Sequence, residues 1–102
     1  MNQIELDLYH DMVNIYKEAD LQCNYKPTRF LQLINNKGAL LAAKELINKE
    51  GATEGFTRLW ECKRLDLSLE VLVLKEKYKE LFTNEEREIC INRLKDYGYK
   101  FN

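Results

Sequence analysis

Residues 55–74 read "GFTRLWECKRLDLSLEVLVL", the densest stretch of the chain, with its only tryptophan set among charged and apolar residues. The fold turns on how this stretch is read. From Leu65 to Glu70 apolar and polar residues alternate, which is the pattern of a half-buried strand. The same residues also suit a helix that starts near Ser68, since Leu69, Leu72, Val73 and Glu76 fall at helical spacing. A strand must pair to satisfy its backbone, and no other segment offers a partner strand. The helix reading therefore wins, running to about Leu81, with Asp66 and Ser68 as loop and N-cap residues.

Working outward, breaks are few because the chain holds one proline and four glycines in 102 residues. Residues 3–23 form one predicted helix, with Tyr9, Met12, Val13, Tyr16, Ala19 and Cys23 on a single stripe. Pro27 suits the first turn of a short helix to about residue 36. "NNKG" at 35–38 interrupts it, and residues 39–49 resume as helix before Gly51. Thr53 is an N-cap candidate for a helix through Trp60 to about Lys63. Thr83-Asn84-Glu85-Glu86 spells a capping box for a last helix ending at Gly98, and 99–102 form a short tail. The sum is a compact all-α single domain over 1–102, a bundle of five or six short helices.

"YKPTRFLQLINNKGALLAAKELI", "GFTRLWECKRLDLSLEVLVL" and "LFTNEEREICINRLKDYGY", in that order over about residues 25–99, resemble an uncharacterised family of small bacterial helical domains. Its core pattern is GFxxLWExxRLDLxxExLVL. Such domains stand alone or end larger chains, some of them nuclease-like. The resemblance implies a helical fold and a bacterial or phage setting, and no activity. This chain carries Cys62-Lys63 where the pattern expects a glycine before Arg64, which leaves that turn open.

Composition excludes several functions. The net charge is −1, so the whole chain is no polyanion binder. Charge is uneven, however. Residues 1–23 carry Glu5, Asp7, Asp11, Glu18 and Asp20 against Lys17, whereas 24–49 carry Lys26, Arg29, Lys37, Lys44 and Lys49 against Glu45. Either the two segments complement each other or the basic one meets an anionic partner. Cys23, Cys62 and Cys90 are odd in number, far apart and without a C-x-x-C, which argues against a disulfide framework or zinc ribbon and for free thiols in a reducing cytoplasm. The N-terminus lacks a signal-peptide pattern, and no apolar run is long enough to span a membrane. Neither G-x-G-x-x-G nor G-x-x-x-x-G-K occurs, and no cofactor or metal is implied.

Three constellations remain. Asp7, His10 and Asp11 share a helix face, but a helix surface supplies no concave pocket, so we read them as a solvated face. Trp60, Glu61, Arg64 and Asp66 lie within seven residues. We read Trp60 and Phe56 as core and Arg64 as a staple that clips a nearby carboxylate. The other reading makes Trp60 and Arg64 an exposed interface anchor, both being residue types that dominate hot spots. Finally, 27–36 and 39–49 can be tried as a helix-turn-helix in which Arg29, Lys37, Lys44, Asn48 and Lys49 approach nucleic acid. With no second histidine and no nucleophile beside a base, the expectation is a non-enzymatic adaptor with a protein partner, and nucleic acid as the alternative.

Overall fold

The computed structural model describes residues 2–101. The first helix, α1 (Gln3–Cys23), starts where the Asn2 side chain accepts from the Glu5 amide, and ends where Asn24 turns left-handed at φ 50°. The amides of Asn24 and Tyr25 then bond back to the Asp20 and Ala19 carbonyls, which closes the helix. Its buried face is Leu8, Met12 and Ala19, with Tyr9 and Ile15 packed alongside. This stripe is rotated from the expected one, and the fully buried Leu8 takes the place assigned to the aromatics.

Two antiparallel helices follow, α2 (Thr28–Lys37) and α3 (Ala39–Asn48), joined at Gly38, whose φ of +84° few other residues adopt without strain. Small residues let this hairpin sit close on α1: Ala39, Ala42 and Ala43 are buried together with Ile34 and Ile47. Next comes α4 (Glu54–Glu61), where the Thr53 hydroxyl accepts from the Phe56 amide at 3.2 Å, as the sequence led us to expect.

The regular elements of the decisive stretch are all helical, and no strand occurs among the described residues. It is nevertheless more broken than expected. A 3-10 turn covers Leu65–Leu67, α5 spans Leu69–Val73 with Ser68 as its cap, and a second 3-10 segment covers Glu76–Leu81. The single helix expected over 68–81 is thus interrupted at Lys75, whose ψ of 139° is extended. The restart carries Tyr78 inward, where it is fully buried and its hydroxyl donates to Asp11 on α1. A final α6 (Asn84–Asp96) opens on the expected capping box: the Glu86 amide donates to the Thr83 hydroxyl at 3.1 Å, and the Glu86 carboxylate accepts from the Thr83 amide at 2.9 Å. The six α-helices and two 3-10 segments among the described residues slightly exceed the five or six helices expected, within the same all-α class.

Two cores share this frame. The larger gathers α1, α2, α3, α5, the 76–81 segment and α6 around Met12, Ile47, Val73 and Tyr78. The smaller lies at the far end of α1, where Ala19 meets Phe56, Leu59, Leu65 and Leu94. There the cysteine expectation fails: Cys23 and Cys62 form a disulfide, with 5.9 Å between their Cα atoms. The last residue of α1 and the residue after α4 are brought together by the fold, a proximity that a separation of 39 residues conceals. Cys90 alone is a buried free thiol, and burial pushes its pKa up to about 12. With Cys23 and Cys62 bonded, the cysteines no longer point to a reducing compartment. No helix of the described residues is long and apolar enough to cross a membrane.

Candidate functional site

Of the four expected residues around the corner after α4, Arg64 and Asp66 are brought into contact, whereas Trp60 and Glu61 meet other partners. Arg64 spreads its guanidinium in a fork over Asp66, with Nε to Oδ1 at 3.0 Å and Nη2 to Oδ2 at 3.1 Å, while Nη1 reaches Gln22 Oε1 on α1 at 3.0 Å. The Arg64 bond holds the Asp66 carboxyl below its ordinary range. This is the staple the sequence suggested, and it joins the 65–67 turn to the end of α1. Glu61 is exposed and pairs loosely with Arg58 at 3.8 Å.

Trp60 departs from its expected place. The core positions of α4 are Phe56 and Leu59, and Trp60 keeps 46% of its surface in solvent. The reason is geometric: Phe56 and Leu59 already fill the face turned to Leu65 and Leu94, and Trp60 lies at the edge of that face. Its ring meets Tyr97 edge-on at 5.4 Å, and Tyr97 in turn meets Phe56 edge-on at 4.9 Å. The indole is therefore backed on one side and open on the other. Phe101 in the tail is also half exposed and packs on Tyr99, while Asn102 lies outside the described residues.

Lys37 and Lys44 are tied into separate contacts. Lys37 pairs with Glu45. Lys44 Nζ donates to Glu86 Oε1 at 2.7 Å, and Asn48 Nδ2 to Glu86 Oε2 at 3.0 Å. Burial alone would raise the Glu86 carboxyl, but the bonds from Lys44, the Thr83 amide and Asn48 together hold it below the ordinary range. Two side chains of the expected nucleic-acid face, Lys44 and Asn48, thus serve the packing of α3 on α6, while Lys37 ties α2 to α3. Arg29 is exposed at the start of α2. Asp7 and Asp11 are likewise engaged: Asp7 accepts from Gln3 at 2.8 Å and lies 3.7 Å from Lys77, while Asp11 holds Tyr78. No cluster of metal-ligating side chains occurs among the described residues.

Two features escaped the sequence reading. The first is a buried ion pair: Arg93 Nη1 donates to Glu70 Oε2 at 2.8 Å, with Nη2 bonded to the Ile47 and Lys49 carbonyls at 3.2 and 3.1 Å. Arg93 falls on the apolar stripe of α6 between Cys90 and Leu94, and a charge on such a stripe signals a buried partner. Desolvation pushes the Glu70 carboxyl up, and the Arg93 bond pulls against it. The second is a groove of about 560 Å³ between the open end of the α2–α3 hairpin and α4, reaching down to Ser68, Leu69 and Glu70.

Comparison with known family models, with curated proteins and with solved structures gives no match. The surface itself is what bears on function.

Proposed function

We propose that the chain is a small non-enzymatic binding domain that acts through protein–protein contacts, with Trp60 as its anchor. One observation carries the reading: an indole half open to solvent stands on a corner restrained by the Arg64–Asp66 fork, the Arg64–Gln22 bond and the Cys23–Cys62 link. An exposed large aromatic held in one position loses little entropy on binding, which is what makes tryptophan an effective interface anchor. The nucleic-acid alternative draws less support, because Lys44 and Asn48 spend donors on Glu86 and Lys37 is paired with Glu45. No catalytic role is proposed for Asp7 and Asp11, whose carboxylates bind neighbouring side chains. A bacterial or phage setting in nucleic-acid processing or defence is proposed on the family resemblance alone.

The test is a photo-crosslinking residue in place of Glu61, expressed in the native host. A single protein should be captured, and Trp60→Ala should lose it while keeping the helical signal. Capture that survives Trp60→Ala, or that recovers nucleic acid instead of protein, overturns the proposal.

A further inference from the structure

The groove beside α4 has an apolar floor and a charged rim of one dominant sign. Phe30, Leu33, Leu46 and Phe56 face into it. At its mouth stand Lys26, Arg29 and Lys49, which the antiparallel hairpin gathers at its open end. None of the three lies within ion-pairing distance of a carboxylate among the described residues. Two of the acids lining the groove are already neutralised, Glu45 by Lys37 and Glu70 by Arg93, which leaves only Glu54 to oppose the three cations. The first turn of α2 adds to the positive field: it holds no acid, and no side chain caps it.

We propose that this groove is a docking site for an acidic, apolar-anchored peptide segment of a partner protein. Its volume lies within the about 300–1,000 Å³ of pockets that enclose small ligands, so it admits a few side chains and not a folded domain. Apolar side chains of the segment enter between Phe30 and Phe56, and its carboxylates meet Lys26, Arg29 and Lys49. A nucleic acid is the poorer fit, since the interior is a concave pocket and the cations sit at one end rather than along a track that a phosphate backbone could follow. This site lies at the N-terminal end of α4 and the Trp60 corner at its C-terminal end, so the two inferences stand or fall separately.

The experiment selects random peptides displayed on phage against the immobilised disulfide-bonded protein, then measures binding of the fluorescently labelled winners. Enriched sequences should combine apolar residues with at least two acids. The variant Lys26→Glu/Arg29→Glu/Lys49→Glu alters only exposed side chains, and circular dichroism checks that it folds. It should weaken binding about tenfold or more, and Arg29→Glu alone should weaken it by a smaller factor. Added salt should weaken wild-type binding as well. Enrichment without acids, no enrichment, binding indifferent to the charge reversal, or a labelled oligothymidylate that binds the groove where the peptides do not would each overturn the proposal. Peptides that respond to Trp60→Ala and not to the groove variants would refute this site while supporting the Trp60 corner.

Discussion

Replacing Arg93 by Leu is the sharpest test of how the larger core is held. The guanidinium is about nine-tenths buried, as is its partner Glu70, and it also satisfies the carbonyls of Ile47 and Lys49. Leucine fills much of the space but leaves a carboxylate without a cation. Breaking one side of a buried pair costs about 3–5 kcal/mol, against a total of about 5–15 kcal/mol for a domain of this kind. With a urea dependence of about 1.5 kcal/mol per molar, the unfolding midpoint should fall by about 2–3 M, followed by circular dichroism. The loss should depend on pH with a definite sign. Burial raises the Glu70 carboxyl above its unfolded value, so its contribution is fully present below that value and is lost as pH rises through the folded one. Removal of Arg93 raises it further, so the variant should be closer to wild type at pH 5 than at pH 8. The double variant Glu70→Leu/Arg93→Leu should recover most of the loss, because the penalty lies in the stranded charge. A single variant that costs less than about 1 kcal/mol, or a double variant no better than the single, would refute the reasoning.

Other outcomes follow from the same geometry. Unfolded in the absence of reductant, the chain should show one free thiol, and three after reduction, by mass shift on alkylation; three without reduction would refute the Cys23–Cys62 bond. Cys23→Ser/Cys62→Ser should destabilise the fold by about 4 kcal/mol from loss of a loop of this length. Trp60→Ala should cost only about 1–2 kcal/mol in denaturant unfolding, well below the about 3–5 kcal/mol of a core tryptophan. Glu86 is held below its ordinary range, so its contribution is present above the unfolded value and vanishes as pH falls through the folded one. Glu86→Gln should therefore lower stability at pH 7 and flatten the decline on acidification, as read by urea midpoints across pH.

What the sequence revealed was mostly local chemistry. Thr53, Ser68 and Thr83 cap helices as expected because capping needs only a hydroxyl and an amide three residues on. The absence of a partner strand settled the reading of 65–74 by elimination. Periodicity did less well in α1, where two apolar stripes overlap and only tertiary packing chooses the one with Leu8. The break at Lys75 depends on Tyr78 reaching Asp11, 67 residues away in sequence, and helical spacing carries no trace of it. Of the candidate site, Arg64–Asp66 was legible because its partners are two residues apart. The pairing of Cys23 with Cys62, of Glu70 with Arg93 and of Lys44 with Glu86 joins remote segments, so spacing gave no signal. Trp60 was misplaced because burial statistics favour tryptophan in cores, whereas here its smaller neighbours Phe56 and Leu59 took the interior.

Lys63, the residue between the bridged Cys62 and the clamped Arg64, is left-handed at φ 62°. A side chain there carries a steric penalty that glycine avoids, of about 1 kcal/mol. A saturation screen should accordingly find an exposed position, outside both cores, whose ranking of substituents is inverted: glycine and asparagine enriched above the native lysine, and valine, isoleucine and threonine depleted as though they were buried.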